Sequence, residues 1–176
     1  MGGIFSLKVC VYAICKNESQ FVDRLMDSMS EADYVCVLDT GSSDDTVERL
    51  RARGAIVGET VVSPWRFDTA RNESLGLIPA DADICCAIDL DEQFHPGWRA
   101  ALERAWQPDT TRARYRYTWS FRPDGSEGMV FWADKIHKNG CYRWASPVHE
   151  TLSYTGEGTE RFVDAAGVQL DHHPDE

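Results

Sequence analysis

The amino-acid sequence predicts an α/β domain: a mostly parallel sheet flanked by helices, followed by a smaller antiparallel C-terminal part. Three observations carry this. Short apolar runs rich in β-formers alternate with segments of helical spacing through residues 1–107. Three of those runs break off into acidic polar turns, as strands do where they deliver ligand-binding groups to the carboxyl edge of a sheet. From residue 108 onward the pattern changes to two-residue alternation interrupted by turn signals.

Taken in order, Leu7 to Ile14 (LKVCVYAI) reads as a buried strand. Asn17-Glu18-Ser19 follows as a loop and helix start, and Phe21, Val22, Leu25, Met26 and Met29 recur at helical spacing. Tyr34 to Leu38 (YVCVL) is a second strand. It ends in Asp39-Thr40-Gly41-Ser42-Ser43-Asp44-Asp45, whose last four residues can cap the next helix, so that Asp39 comes too early to serve as a cap. Thr46 to Arg53 is that helix, with Gly54 at its C-cap, and Ala55 to Val62 is a third strand. Phe67 to Ile78 reads as a helix capped by Asp68 and stopped by Pro79. Asp83 to Ile88 is a fourth strand ending in Asp89-Leu90-Asp91-Glu92, and Pro96 opens a helix over Trp98 to Trp106. Strands follow at Arg112 to Phe121 and Met129 to His137, with a turn at Pro123-Asp124-Gly125, then short segments around Tyr142 to Leu152 and Arg161 to Leu170. A chain of 176 residues corresponds to one domain.

The formal net charge of −11 excludes a broad basic surface for nucleic acid, leaving only a local basic groove around Arg112, Arg114 and Arg116 open. An excess of carboxylates suits a protein that recruits a cation to meet an anionic substrate. Of the six cysteines, Cys10, Cys36, Cys85 and Cys86 lie inside apolar runs and no CxxC pair occurs, so buried reduced thiols are expected rather than a zinc site. Residues 1–5 lack the charged and long apolar parts of a signal peptide, although Gly2 and Ser6 superficially suit N-myristoylation, and no apolar run is long enough to span a membrane. These features together lead to the expectation of a cytoplasmic protein.

Glu18, Asp39 and the Asp89/Asp91 pair follow predicted strands and are expected to gather along one crevice. Carboxylates brought together repel unless a cation compensates, and hard oxygen ligands suit Mg²⁺ or Mn²⁺ sharing phosphate oxygens with a substrate. In extended backbone Asp89 and Asp91 point to one side, one for a ribose hydroxyl and one for a metal; the competing reading is a polar turn with solvated acids.

Several motifs in order resemble family-2 glycosyltransferases. Ile14-Cys15-Lys16-Asn17-Glu18 is similar to that family's entry segment, Val37-Leu38-Asp39-Thr40-Gly41-Ser42-Ser43-Asp44-Asp45-Thr46 to its "VDTGSTDGT", and Phe67-Asp68-Thr69-Ala70-Arg71-Asn72 to its "aRN" helix start. Ile88-Asp89-Leu90-Asp91-Glu92 is similar to "lDaDE", and Lys135 to Lys138 with Trp144 to Glu150 resembles the later pair ending in "VHE". The resemblance implies a GT-A-type fold, a UDP- or GDP-type sugar donor, a hydroxyl acceptor and a divalent metal, Mn²⁺ or Mg²⁺. It places nucleotide binding in residues 1–107 and completion of the acceptor and metal sites in residues 108–176. It implies that Asp39 binds the base or ribose, Glu18 lines the same pocket, Arg71 faces the nucleotide, Asp89 takes the ribose side and Asp91 the metal. Glu150 is the candidate general base for an inverting transfer, against a purely structural role for His149-Glu150. Leu170-Asp171-His172 aligns with the family's metal-binding histidine, so His172 is favoured over His173, against a frayed tail in which both are solvated.

His95 and His137 are expected to be structural. Trp65, Trp119, Trp132 and Trp144 are expected mostly in the core, with one or two forming a platform for an acceptor sugar. Many members of the family continue beyond the catalytic domain, so the chain is expected to be a minimal enzyme, an excised domain or one that works with a partner. Two other functions compete: a nucleotide-sugar-binding module without turnover, and a sugar nucleotidyltransferase. The glycine-free Cys15-Lys16-Asn17-Glu18 loop argues against the second.

Overall fold

Strand β1 (Val9–Cys15) is buried at every position, because both faces of the sheet are covered where it runs. The structure is a computed structural model and describes residues 6–174; Gly2, considered above for acylation, lies outside them. On one side β1 pairs in parallel with β2 (Tyr34–Asp39), and β2 with β3 (Ile56–Glu59). On the other side β1 pairs in parallel with β4 (Ile84–Ala87). The sheet continues from β4 through β7 (Val130–Lys138), β6 (Arg112–Thr118) and β10 (Phe162–His172) to β5 (Glu92–Phe94). Only β5 and β7 run against the other six, so the sheet is mostly parallel.

Side-chain alternation along β1 distributes the core. Val9, Val11, Ala13 and Cys15 face a layer containing α1 (Val22–Ser28), α2 (Thr46–Ala52) and α4 (Trp98–Ala105). Cys10 and Tyr12 face the opposite layer, with Ile14 packing beside them against Ala70 of α3 (Phe67–Leu75). That layer also holds a separate hairpin of β8 (Tyr142–Ala145) and β9 (Thr151–Tyr154). This is the mostly parallel, helix-flanked α/β sheet expected from the sequence.

The differences have physical causes. The smaller antiparallel C-terminal part is the β8–β9 hairpin, whereas β6, β7 and β10 extend the main sheet, β6 and β10 pairing in parallel. Strand β5 is not anticipated, since three residues carry too little periodicity to register; it exists because β10 supplies its hydrogen bonds. Asp68 is not the cap of α3. Arg66 occupies that position, and the Asp68 carboxylate, inside the helix, instead pairs with the Arg66 guanidinium at 2.8 Å. The arginines of the supposed basic groove are each neutralised: Arg112 by Asp134 and Glu160, Arg114 by Asp164, and Arg116 by Glu127. Cys10, Cys15, Cys36, Cys85 and Cys86 are buried free thiols, as expected. Among the described residues no helix is long and apolar enough to cross a membrane.

Candidate functional site

Strands β1, β2, β4, β6 and β10 all end at one edge of the sheet, so Glu18, Asp39, Asp89 and His172 arrive there by topology alone. Chain connections leave β1 toward β2 on one side, while β4 lies on the other, which opens a crevice at the β1/β4 boundary. A cavity of about 350 Å³ fills it, lined by Glu18, Arg71, Asp89, Asp91, Glu150 and His172. Six of the seven residues singled out from the sequence thus line one cavity. A larger cavity of about 480 Å³ lies at the opposite end of the strands, but its single carboxylate, Asp83, is already engaged by the Lys8 N–H at 2.7 Å. Chemistry rather than volume identifies the site.

Asp39 is the seventh residue. It is buried, and its carboxylate accepts the N–H groups of Gly41 and Ser42 at 2.9 Å, as well as the Ser42 hydroxyl. Burial opposes its ionisation, but these bonds outweigh burial and hold it below the usual carboxylate range. Its structural work is to shape the turn in which Gly41 adopts φ +111°, a conformation that favours glycine. Asn17 locks this turn to the end of β1: its N–H reaches the Ser42 hydroxyl at 2.8 Å and its amide oxygen accepts the Ser43 N–H at 2.7 Å. Glu18 is thereby held at the cavity. Burial, with the charges of Asp91 and Asp89 adding to it, pushes the Glu18 carboxyl up to about 7.

Helix α3 delivers two adjacent residues to different partners. Arg71 is buried, with its guanidinium bonded to the Ile88 carbonyl at 3.0 Å, to the Asp89 carboxylate and to Glu150 at 3.4 Å. It also lies over the Trp144 ring at 5.5 Å. Asn72 clamps the backbone of Trp144, donating to its carbonyl at 2.8 Å and accepting its N–H at 2.9 Å. This pairing fixes β8 against α3, and His149, at φ +54°, then leads the loop to Glu150 at the cavity. Glu150 also lines a neighbouring cavity of about 290 Å³ with Lys135, so the crevice extends past it.

The Asp89-Leu90-Asp91-Glu92 segment is a turn, closed by a 3.1 Å bond from the Glu92 N–H to the Asp89 carbonyl, rather than extended backbone. Both aspartates still reach the same cavity. Burial opposes ionisation of Asp89, but the Arg71 and Lys135 charges prevail and keep it low. Sequence reasoning assigned no role to Glu92. Fully buried, it accepts the Asp89 N–H at 2.9 Å and the Tyr117 hydroxyl at 2.6 Å, and so braces the turn. Its only sequence signal is a carboxylate beside two others.

Burial and the Asp89 charge raise the Glu92 carboxyl from 4.5 to about 7. Charging it therefore costs stability; that cost is absent below pH 4.5, grows as pH rises and is complete above pH 7. Glu92→Gln is expected to gain on the unsubstituted chain by about 1–3 kcal/mol between pH 4.5 and pH 8, measured by urea denaturation. A stability difference that stays flat with pH would contradict this.

His172 closes the site. Its Nδ1 faces the Trp119 carbonyl at 3.0 Å; a carbonyl only accepts, so Nδ1 carries the proton. Its Nε2 faces Asp91 Oδ2, 3.0 Å away. Two acceptors facing each other require a proton or a cation between them. Two ligands of Mg²⁺ or Mn²⁺ at about 2.1 Å and right angles lie about 3.0 Å apart, so this donor pair fits a divalent cation. An imidazole that donates its other N–H to a carbonyl is the usual support for a metal-ligating histidine. Among the described residues no cluster of three or more His, Cys, Asp or Glu can hold a metal alone, so the remaining ligands would come from water and substrate. His173 instead stacks on Phe121 at 4.8 Å.

His137 and His95 have structural partners. Burial lowers His137 to about 4, leaving its Nε2 to accept from the Tyr12 hydroxyl at 2.8 Å. His95 pairs with Asp171 at 2.6 Å. Of the four tryptophans considered for a platform, only Trp144 is buried, whereas Trp65, Trp119 and Trp132 are 45%, 47% and 53% exposed. Trp65 and Trp119 line the cavity.

No family model matches the chain. Over 97% of its length the chain shares a fold with a crystal structure described as a mycobacterial protein, with 16% identity, a TM-score of 0.60 and 68% of that chain covered. It is also similar to glucosyl-3-phosphoglycerate synthase from Mycobacterium tuberculosis, in a structure with Mn²⁺, UDP and glucosyl-3-phosphoglycerate. There the identity is 24% and the TM-score 0.49, over 64% of this chain and 44% of the synthase. The same synthase with Mg²⁺ and UDP gives a TM-score of 0.48. The chain thus spans less than half the length of that synthase.

Proposed function

We propose that the chain is a metal-dependent glycosyltransferase, moving a sugar from a UDP- or GDP-type donor to a hydroxyl acceptor with inversion. The observation that carries this reading is the meeting of Asp91 and His172 at 3.0 Å, in one cavity with Arg71, Asp89 and Glu150. The ordered motifs that resemble family-2 glycosyltransferases support the same reading. Asp91 and His172 would hold Mg²⁺ or Mn²⁺; when bound, the cation supplies charge neutralisation to a diphosphate. Asp39 and Glu18 bind the base and ribose side of the donor, and Asp89 the ribose. Arg71 has its donors on Ile88, Asp89 and Glu150, so it sets the positions of both carboxylates as well as facing the nucleotide.

Glu150 takes the proton of the acceptor hydroxyl as the oxygen attacks the anomeric carbon. A carbon–oxygen glycosidic bond forms, the bond from the anomeric carbon to the phosphate oxygen breaks, and the nucleoside diphosphate leaves with the electron pair. The loop after β1 is glycine-free and pinned to Ser42 and Ser43, unlike a phosphate-cradling loop, which disfavours nucleotidyl transfer.

The test is release of nucleoside diphosphate from UDP- and GDP-hexoses, with Mn²⁺ and a panel of hydroxyl acceptors. Acceptor-dependent release from one donor, stopped by a chelator, is expected. Donor binding with no release for any acceptor would instead make the chain a binding module.

A further inference from the structure

Trp119 is a large aromatic residue left half exposed at the end of β6, where burial does not explain its presence. Its indole stacks on the His172 imidazole with ring centres 4.3 Å apart and planes 10° from parallel. Its own backbone carbonyl accepts the His172 Nδ1–H at 3.0 Å. One residue therefore fixes both the tautomer and the plane of the ring whose Nε2 faces Asp91.

The arrangement repeats one step along the chain. Phe121 stacks on His173 at 4.8 Å, with planes 9° apart, and the His173 N–H donates to the Asp91 carbonyl at 2.8 Å. The segment leaving β6 thus covers the end of β10 with two aromatic rings, over the residues that meet the Asp89–Asp91 turn.

We propose that Trp119 is a positioning residue for His172 and sets the divalent-cation affinity of the cleft. The inference rests on the metal reading given under Proposed function. A cation on Nε2 draws electron density from the imidazole, and the electron-rich face of the indole attracts such a ring more strongly than a neutral one. The stack therefore favours the cation-bound state over the free state, beyond holding the ring in place. The backbone carbonyl contact does not depend on the side chain, so substitution isolates the stack.

The probe is Mn²⁺ alone, without nucleotide, titrated into the full chain and followed by the electron paramagnetic resonance signal of free Mn²⁺. Leaving nucleotide out removes any contact between Trp119 and a donor. Trp119→Ala is expected to weaken Mn²⁺ binding about three- to tenfold. Trp119→Leu, which keeps bulk without an aromatic face, weakens it similarly, and Trp119→Phe stays within about twofold of the unsubstituted chain. Trp132→Ala, at an exposed residue of β7, leaves it unchanged. Trp119→Ala binding like the unsubstituted chain would overturn the inference. Asp91→Ala and His172→Ala report separately on the metal reading. If they abolish binding while Trp119→Ala does not, that reading stands and the role of Trp119 falls. If neither changes binding, both fall; if the unsubstituted chain retains no Mn²⁺ without nucleotide, the role of Trp119 falls and the metal reading is decided by the titration with nucleotide.

Discussion

Glu150→Gln is expected to lower kcat by about 10²- to 10⁴-fold while leaving donor-nucleotide affinity within about twofold. Glutamine keeps the shape of the side chain and can still accept from Arg71 Nε, now 3.4 Å from the carboxylate. What it loses is the ability to take a proton. The Glu150 side chain is 14% exposed and stands where the cavity lined by Arg71 and Asp91 meets the neighbouring cavity that contains Lys135, a placement that under the proposed function suits an acceptor hydroxyl arriving beside the donor. Steady-state kinetics at saturating donor, with calorimetry of the nucleotide, separates the outcomes. A variant with normal kcat would return Glu150 to a structural partnership with Arg71. A variant that loses nucleotide affinity but not kcat would assign it to binding instead.

Arg71→Ala is expected to destabilise the chain by about 3–5 kcal/mol, because the Asp89 and Glu150 carboxylates would be left without their buried counter-charge. Burial alone lowers the pKa of Arg71; the charges of Asp89 and Glu150 reverse that, and the Arg71 charge in turn keeps the Asp89 carboxyl low. The Ile88 carbonyl, 3.0 Å from the guanidinium, would also lose its partner, and the Trp144 face its cation. For a chain of this size the midpoint of thermal unfolding should fall by about 6–20 °C. Arg71→Lys is expected to recover only part, since an ammonium cannot present a planar fork to a carbonyl and two carboxylates together. Urea denaturation of both variants checks this; a cost below about 1 kcal/mol for alanine would show that the cluster relaxes without its cation.

Why the sheet was legible in the sequence is visible at β1. Its residues alternate between two buried layers, so the run is continuously apolar, and the acidic turns after β1, β2 and β4 mark the carboxyl edge. The gathering of the candidate residues was legible for the same reason, since Asp39 ends β2 while Glu18 and Asp89 follow the ends of β1 and β4. Less legible was whatever depends on partners distant in the chain. Glu92 acquires its bracing role only when Tyr117, 25 residues on, reaches it at 2.6 Å. His172 reads as a tail residue until β10 extends to it and Trp119, 53 positions earlier, accepts its proton. Exposure of Trp65 and Trp119 likewise follows from their position at the cavity rim, which hydrophobicity alone does not encode.

The most direct test of the central claim is calorimetric titration of UDP and GDP into the purified chain, with and without Mn²⁺, beside Asp91→Ala. Metal-dependent binding of one nucleotide, weakened at least about tenfold in Asp91→Ala, is the predicted result. Failure of UDP, GDP, CDP and dTDP to bind under any metal condition would contradict the donor-site assignment and leave the chain with the fold alone. Binding that ignores both metal and Asp91 would contradict the metal site.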